Sequence, residues 1–485
     1  MMRAMNPTSR ALPLDPTPAE LERWLATTGA FVLDHVARLD DMPSYATEGA
    51  AAATAALLEP PPEDGRPLEE ALALLKPAIE ASFTTAGPGY LAFIPGGGIP
   101  TAGMADLIGC ITNRFVNVTA AAPSLARLEG LTLAWLAELM GFPPSAGGIF
   151  TTGGSLSNLA ALVAAREAKL GEEFHDGVLY FSEETHASVA KAARLAGFPQ
   201  RALRRVPVDL RLRMDPTALE AAIRADRAAG LRPFAVVANA GTTNTGAIDP
   251  LATIVAVGRE HGLWVHADAA YGGFFRLVPE GARLLAGIED CDSMTLDPHK
   301  TLFLPYGTGV LLVRDPEALR RAHATEASYL QDVAAAAGQT NFTDLSPELS
   351  RDLRGLRVWL PFVLHGVAQF RSQLAEKLEL TRHAAARIAG EPLFRLVDRP
   401  QLSIVAFTAE PPSGDPDAFG EEVLRRVNAR RRVFLSSTRL DGRYVLRICT
   451  VSFRTHQDRV DEAVDALIEE ARALAAGLPE GRAPA

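Results

Sequence analysis

Short apolar runs alternate with helical patterns through the middle of the chain. Runs rich in β-branched and aromatic residues predict strands at residues 178–182, 234–239, 263–268, 293–297 and 309–313. Segments with helical spacing lie between most of them, at residues 157–170, 188–196, 216–229 and 250–261. Continuous apolar strands separated by helices indicate an α/β fold with a mostly parallel central sheet that is covered on both faces.

The segments on either side of this region have different patterns. Thr17, followed by a proline and then Glu20, predicts a capped helix start. The apolar residues that follow at helical spacing have no neighbouring segment to cover them, so this helix packs on its own core or on a second subunit. A long helix is expected from residue 351 to about 389, kinked or divided by Pro361. A polar segment before it, residues 331–350, is a candidate lid.

The C-terminal part predicts strands at residues 402–408, 432–436 and 444–449, flanked by helices. This pattern is typical of a compact α+β unit. The chain is therefore predicted to have an N-terminal helical dimerisation segment (1–86), a large α/β domain (87–360) and a small C-terminal α+β domain (361–485). The tail after residue 478 is expected to be disordered.

Composition and charge narrow the class of protein. A net charge of −10 provides no basic surface for nucleic acid or for anionic membranes. The sequence has no apolar run long enough to cross a membrane and no apolar signal core at its start. Cys110, Cys291 and Cys449 are too far apart in sequence to predict a disulfide framework or a metal cluster. We expect a cytoplasmic protein without a metal, nucleic-acid or membrane partner.

Polar residues follow the predicted strands, at the edge where ligands bind in such sheets. Residues 151–158, Thr-Thr-Gly-Gly-Ser-Leu-Ser-Asn, lead into a helix and suit either a phosphate or a tight loop with a serine cap. His186 is either a loop residue or a ring that stacks on a flat aromatic group. Thr242 and Thr243 are turn residues or hydrogen-bond donors.

Asp268 and Lys300 indicate the chemistry most directly. Asp268 ends an apolar run, so its carboxylate needs a partner, either a helix N-terminus or a cationic ring N–H. Lys300 follows a short apolar run with few polar neighbours; burial disfavours the ammonium and would leave a free amine for Schiff-base chemistry, although a surface lysine in a turn is the alternative. Together the strand-end features match pyridoxal phosphate (PLP), which needs a phosphate site, an amine and a carboxylate beside its ring nitrogen.

These motifs resemble those of the group II PLP-dependent decarboxylases, which include the aromatic-L-amino-acid and glutamate decarboxylases. The resemblance runs from about residue 21 to about residue 467. Its motifs are Gly-Gly-Ser-Leu-Ser-Asn at 153–158, Thr-His-Ala-Ser at 185–188, Gly-Thr-Thr at 241–243, His-Ala-Asp-Ala-Ala-Tyr at 266–271 and Asp-Pro-His-Lys at 297–300. It implies a fold-type I PLP-dependent transferase (aspartate aminotransferase-like). It also implies a homodimer with active sites at the interface, whose N-terminal helices wrap the partner subunit.

The resemblance also implies roles for individual residues. Lys300 would form the Schiff base, Asp268 would pair with the ring nitrogen, and His186 would stack on the ring and could protonate the substrate carbon. The other implied cofactor contacts, to the phosphate or in support of Asp268 or the ring, are Gly154, Ser155, Thr243 and His299. The family often has asparagine where this chain has Asp297, which alters the charge near the phosphate.

The substrate side has fewer indications. Phe93 and Ile94 suggest an apolar or aromatic wall, and the glycines at 96–98 form either a flexible connector or a close backbone approach. Because enzymes of this superfamily bind the substrate α-carboxylate with an arginine of the small domain, Arg447 is a candidate. A solvated surface charge is the alternative reading of Arg447.

The resulting functional prediction is the decarboxylation of an L-amino acid, expected to be aromatic, to an amine and CO2. Family decarboxylases place a tyrosine in a mobile loop to protonate the reaction intermediate, and residues 341–347 contain none, while Tyr329 lies upstream. Related enzymes without that tyrosine form an aldehyde, so decarboxylation-dependent oxidative deamination is the alternative. Aminotransfer is a further one, and retention of Lys300, Asp268 and His186 argues against a non-catalytic binding protein.

Overall fold

The computed structural model describes residues 14–325 and 341–477, which contain two β-sheets. The larger sheet has seven strands in the order β1-β7-β6-β5-β4-β2-β3, and β7 alone runs antiparallel to its neighbours. Its strands are β1 (Gly147–Thr151), β2 (Gly177–Ser182), β3 (Leu203–Val206), β4 (Arg232–Asn239), β5 (Trp264–Asp268), β6 (Ser293–Leu296) and β7 (Gly309–Val313). The mostly parallel α/β sheet is confirmed.

The smaller sheet is antiparallel throughout, in the order β10-β11-β9-β8. Its strands are β8 (Phe394–Leu396), β9 (Ile404–Ala409), β10 (Ser436–Leu440) and β11 (Arg443–Cys449). The predicted strand at residues 432–436 is wrong, because β10 only begins at Ser436. Residues 432–435 instead run beside the segment at 89–91, where the Phe434 N–H bonds the Gly89 carbonyl at 2.9 Å.

Helices cover both faces of the larger sheet. Alternate residues of β4 belong to different apolar clusters: Val236 and Ala238 to one, Ala235 and Val237 to the other. The helices are α1 (Pro18–Arg38), α2 (Ala50–Leu57), α3 (Leu68–Glu80), α4 (Pro100–Thr112), α5 (Pro123–Leu139), α6 (Gly154–Lys169), α7 (Ala187–Leu195), α8 (Pro216–Ala228), α9 (Leu251–Glu260), α10 (Pro279–Leu284), α11 (Pro298–Thr301), α12 (Pro316–His323), α13 (Gly355–Ala389), α14 (Pro416–Ala429) and α15 (Gln457–Ala476).

The strands β1 and β3 were not among the predicted runs. Gly147 and Gly148 interrupt the apolar pattern of β1, yet a glycine is needed there, because a Cβ on Gly148 would lie 2.1 Å from the Leu311 carbonyl oxygen. The β3 sequence Leu-Arg-Arg-Val is half charged, since this strand lies at the edge of the sheet. A hydrophobic pattern therefore misses both strands, because it reflects neither the close backbone approach in β1 nor the edge position of β3.

The first helix begins where the sequence predicts. Thr17 and Glu20 form a capping box: the Glu20 N–H reaches the Thr17 hydroxyl at 3.3 Å, and the Thr17 N–H reaches the Glu20 carboxylate at 2.8 Å. Helix α1 buries none of its residues in the single chain. Large apolar side chains of α1 and α4 are exposed, namely Leu21, Trp24, Leu25, Val32, Leu33, Val36, Met104, Leu107, Ile108 and Ile111.

The long helix α13 is divided, but not at the predicted residue. Pro361 lies within the helix, whereas Gly366 has φ 72° and interrupts the helical backbone. Glycine adopts this left-handed conformation without a Cβ clash, so the break falls there. The predicted domain boundaries at 86 and 360 stay predictions, and α13 runs across the second one.

Other predictions concern features that the structure describes in part. None of the helices in residues 14–325 and 341–477 is long and apolar enough to cross a membrane. Cys110 is exposed, Cys291 and Cys449 are buried, and all three are free thiols. Residues 331–340 of the predicted lid, Tyr329 just upstream of the lid, and the predicted tail after residue 478 lie outside the described residues.

Candidate active site

A cavity of about 310 Å³ opens at the carboxyl ends of the parallel strands. Every residue that the sequence assigned to catalysis or to the cofactor lines it. The lining residues are Thr152, Gly153, Gly154, Ser155, Asn158, His186, Ser188, Asn239, Gly241, Thr242, Thr243, Asp268, Ala270, Tyr271, Asp297, His299 and Lys300. The strand order thus brings together motifs that are up to about 150 residues apart in sequence.

Lys300 lies in the short helix α11, directly after β6. Its Nζ atom is 3.0 Å from Oδ2 of Asp297, and its side chain is 23% exposed. The expectation that this lysine has few polar neighbours is therefore wrong. The other carboxylate oxygen of Asp297 is buried and has no hydrogen-bond partner among the described residues. The amine and an unsatisfied carboxylate thus face each other within the cavity.

The N-terminus of α6 forms a second wall of the cavity. Gly153 has φ 152°, which favours glycine, and it precedes Gly154 and Ser155 in the first turn. A Cβ on Gly154 would lie 3.0 Å from Oδ2 of Asp297 and 3.2 Å from the Ala270 side chain. The backbone N–H groups at this helix end therefore remain uncovered by side chains, as an anion site requires.

Asp268 ends β5 and is 8% exposed. Its Oδ1 accepts a hydrogen bond from the Ala270 N–H at 3.3 Å, and its Oδ2 accepts one from the Asn158 amide at 3.0 Å. One carboxylate oxygen thus bonds backbone at the strand end while the other is tied to a side chain of α6. This fixed carboxylate is what a protonated ring nitrogen needs beside it.

His186 is the N-cap residue of α7 and its ring is exposed at the cavity. Its Nδ1 atom accepts from the Ser188 N–H at 3.3 Å and lies 2.8 Å from the Ser188 hydroxyl. His186 can therefore be a loop residue that caps a helix and still stack its ring on a flat aromatic group. The cap fixes one ring nitrogen and leaves the ring face accessible.

His299 lies beside Lys300 and is mostly buried. Its Nδ1 is 2.7 Å from the Thr308 carbonyl oxygen, to which it donates, and its Nε2 is 3.6 Å from Asp297. Burial lowers the pKa of the His299 imidazole below its ordinary value, while the charge of Asp297 acts in the opposite direction. A neutral imidazole then presents Nε2 as an acceptor towards the cavity.

The three residues predicted to bind substrate do not line the cavity in the single chain. Phe93 is 52% exposed with φ 54°, and Ile94 packs against the large apolar core. The glycines after them make a close approach rather than a flexible connector, because a Cβ on Gly96 would lie 2.8 Å from the His299 carbonyl oxygen. The loop that carries Phe93 is therefore packed directly against the Lys300 segment.

Arg447 on β11 is buried and is not a solvated charge. Its guanidinium donates to the carbonyl oxygens of Asn244 at 2.8 Å and Thr243 at 2.6 Å, and to the Ser436 hydroxyl at 3.1 Å. The Ser436 hydroxyl also accepts the Phe93 N–H at 3.2 Å. Arg447 thus connects the small sheet to a cavity-lining loop, and each of its three side-chain nitrogens donates to a protein group.

The residues present fit pyridoxal phosphate. The uncovered helix end would hold its phosphate, Lys300 offers the amine for its aldehyde, and Asp268 offers the carboxylate for its ring nitrogen. Sequence reasoning missed two contributors, Asn158 and Ser188, although both stand inside motifs that it quoted. Both are polar residues near the start of a helix. Their burial would have marked them as site residues, but only the fold shows that they are buried.

Comparison with known proteins shows the family of this chain. The family described as "Pyridoxal-dependent decarboxylase conserved domain" matches residues 63–410. An aromatic-L-amino-acid decarboxylase of Bacillus atrophaeus is 35% identical over 448 residues, which cover 90% of this chain and 93% of that protein.

Solved structures agree as well. The structure of Oryza sativa TDC with PLP and tryptamine aligns with a TM-score of 0.90 at 27% identity, covering 95% of this chain and 99% of that one. The tryptophan decarboxylase of Catharanthus roseus in complex with L-tryptophan aligns with a TM-score of 0.88 at 25% identity, covering 95% and 99%. The cofactor is pyridoxal phosphate, and the chain belongs to the pyridoxal-dependent decarboxylase family.

Proposed function

We propose that this chain removes the α-carboxylate of an aromatic L-amino acid and releases the amine, with Lys300 as the residue that binds the cofactor aldehyde. The observation that carries the proposal is the meeting of Lys300, Asp268 and the N-terminus of α6 in one cavity. An amine, a fixed carboxylate and an anion site are the three groups that pyridoxal phosphate requires. Relatives that are similar over most of the chain include aromatic-L-amino-acid and tryptophan decarboxylases.

Each residue in the cavity has a task that its contacts support. Bound pyridoxal phosphate supplies an electron sink for the bond to the carboxylate. Asp268 keeps the negative charge beside the ring nitrogen, and His186 covers the ring and holds a proton near the substrate carbon. Gly154 and Ser155 bind the phosphate at the start of α6, with His299 beside it.

The loop from residue 87 to 98 supplies the wall for an aromatic side chain. Phe93 offers an exposed ring on a loop whose glycines pack against His299, and Ile94 supports it from the core. Arg447 secures this arrangement through Ser436 and through the Thr243 carbonyl. We assign Arg447 to positioning, because each of its three side-chain nitrogens already donates to a protein group. Thr243 is held at the cavity for contact with the ring or with Asp268.

The exposed apolar side chains of α1 and α4 support a homodimer. Large apolar side chains exposed in such number on two helices mark an interaction surface rather than a solvated one. A second copy of the chain would cover it and would close the substrate side of each cavity, so the active sites would lie at the interface. Three free, dispersed cysteines are consistent with a cytoplasmic setting.

A second candidate function follows from the tyrosines. The chain has seven, and none lies in residues 341–350, where Phe342 is buried beneath the Arg351 guanidinium. If no tyrosine, including Tyr329, reaches the substrate carbon, the intermediate is not protonated by one and dioxygen can take its electrons. The balanced reaction then consumes one amino acid, one O2 and one water, and yields one aldehyde, one CO2, one NH3 and one H2O2.

A product assay separates the candidates. Purified protein with PLP is given phenylalanine, tyrosine, tryptophan and glutamate, and CO2, amine, aldehyde and H2O2 are measured. Amine and CO2 in equal amounts from aromatic substrates support decarboxylation, and aldehyde with equimolar H2O2 supports the second candidate. Turnover that depends on an added keto acid would indicate aminotransfer, and no turnover of any substrate would remove the proposal.

A further inference from the structure

A buried chain of hydrogen bonds links the far side of β5 to the cavity. The Trp264 indole donates to the Ser293 hydroxyl at 2.8 Å, and the hydroxyl is 2.7 Å from Nδ1 of His266. On the other side of that ring, Nε2 is 3.0 Å from Oδ1 of Asn158. Apart from the indole ring, which is 5% exposed, these groups are almost completely shielded from water. Neither His266 nor Ser293 has a role in the proposed reaction.

Asn158 divides the chain into two branches. Its Nδ2 atom donates to Oδ2 of Asp268 at 3.0 Å and to the Ser188 hydroxyl at 3.0 Å. That hydroxyl is in turn 2.8 Å from Nδ1 of His186. One asparagine therefore contacts the carboxylate directly and reaches the imidazole through one hydroxyl.

The two ends of the chain determine the direction of every hydrogen bond in it. A carboxylate only accepts, so Asn158 must present Nδ2 to Asp268 and Oδ1 to His266. His266 must then carry its proton on Nε2, and its Nδ1 accepts from Ser293. An indole only donates, and it occupies an acceptor position of the Ser293 hydroxyl, which agrees with that hydroxyl donating to His266.

His266 is neutral, as this direction requires. Burial lowers its pKa to about 4, although the charge of Asp268 acts in the opposite direction. A neutral imidazole has only one N–H, so a proton on Nε2 leaves Nδ1 of His266 unprotonated. The Thr295 hydroxyl adds a second donor to Oδ1 of Asn158 at 2.7 Å, which opposes rotation of the amide.

We infer that Asn158, held in one orientation by His266 and Thr295, is a positioning residue for both Asp268 and His186. It keeps the Asp268 oxygen in place as an acceptor for the ring nitrogen. Through Ser188, whose hydroxyl and N–H both donate to Nδ1 of His186, it assigns the His186 proton to Nε2. The inference rests on the roles proposed for Asp268 and His186.

The test substitutes Asn158→Asp, which keeps the shape but places a carboxylate 3.0 Å from Asp268 and removes both donated bonds. Asn428→Asp is the matched control, since the Asn428 amide also both donates and accepts, but its partner is the Leu435 backbone in the small domain. The dissociation constant for PLP is measured by equilibrium dialysis. We expect it to rise about 10- to 100-fold in Asn158→Asp, as for loss of a charge-assisted bond, and less than twofold in the control.

The second measurement reads the tautomers directly. In the wild-type holoenzyme labelled with 15N-histidine, the two-bond 15N–1H correlations of His266 and His186 should both show the Nε2–H tautomer. Asn158→Asp should reduce the Nε2–H population of His186, and Asn428→Asp should not. The wild-type spectrum remains decisive if the variant fails to fold.

Two results would overturn the inference: an Nδ1–H tautomer of His266 in the wild type, or a PLP dissociation constant in Asn158→Asp equal to that of the control. Neither measurement uses an amino acid substrate. A failure of the proposed decarboxylation is therefore distinguishable from a failure of this inference.

Discussion

The cofactor side and the substrate side of the cavity are built differently. The cofactor side consists of polar groups at strand ends and helix starts, most of which have partners inside the chain, such as Asp268 with Asn158. The substrate side is less complete in the single chain: the loop that carries Phe93 is exposed and lies outside the cavity lining, and the apolar faces of α1 and α4 are exposed as well. The difference is the one that the proposed homodimer predicts, in which one chain completes the cofactor site and a second copy completes substrate recognition.

The largest effect is expected at the cofactor side from Lys300→Ala. Removing the amine should lower kcat/KM by about 10⁴-fold, because the residue that binds the cofactor aldehyde is lost. Borohydride treatment followed by peptide mass spectrometry should find the reduced cofactor adduct on Lys300 in the wild type. Lys191→Ala, on the exposed surface of α7, is the control, and an adduct on another lysine would contradict the assignment.

We also expect the cofactor side to cause a loss of folding stability at acidic pH. His266 has a folded pKa of about 4 against an ordinary value of 6.5. Between these values the unfolded chain binds more protons, so stability falls as the pH drops from 6.5 to 4, by up to about 3 kcal/mol. Urea unfolding across this range should show a smaller loss for His266→Phe than for the wild type.

The exposed histidine His175 provides the control for that experiment. His175→Phe should retain the acid-dependent loss of the wild type. Equal slopes in His266→Phe and His175→Phe would mean that the buried imidazole does not cause the pH dependence.

The interface is addressed by Ile108→Asp, which places a charge on the exposed apolar face of α4. We expect the dimer dissociation constant, measured by sedimentation, to rise about 30-fold, or about 2 kcal/mol. If the cofactor side and the substrate side differ as described, the monomer should keep more of its PLP affinity than of its catalytic activity. Leu210→Asp, on an isolated and fully exposed leucine, should leave the dimer unchanged. A monomeric wild type would contradict the expectation.

The smallest effect is expected from Phe93→Ala. Loss of an aromatic wall should raise KM for an aromatic substrate about tenfold, or about 1.4 kcal/mol, with little change in PLP affinity. Steady-state kinetics and equilibrium dialysis measure the two quantities. Phe83→Ala, which removes another partly exposed phenylalanine outside the cavity, is the control. A parallel loss of PLP affinity would mean that the two sides are not separate.

Much of the cofactor side was predictable from residue order. Apolar runs predicted β2, β4, β5 and β7 to within two residues, and the polar residues after them were expected to meet because parallel strands end at one edge. The helix start at Thr17 was predictable too, since a capping box is a local interaction. Local patterns succeed where the interaction spans few residues.

Several differences between the predictions and the structure arise from surroundings that only the folded chain creates. The partner of Lys300 is Asp297, three residues away, yet its importance depends on burial by the first turn of α6. The position of β10 depends on the segment at 432–435 pairing near Gly89 instead. Arg447 stays a candidate for the substrate carboxylate, and only the structure shows that it also bonds a loop about 200 positions away.

Residue order alone determined the α/β class, the strand-end motifs and the cofactor, because these follow from the spacing and the chemistry of residues that are close in sequence. Only the tertiary structure decided which polar groups are satisfied within the chain. Asn158 contacts Asp268, 110 residues away, and so joins Trp264, His266 and Asp268 in one network. The direction of those hydrogen bonds depends on which donor faces which acceptor in space, and a linear pattern does not contain that information.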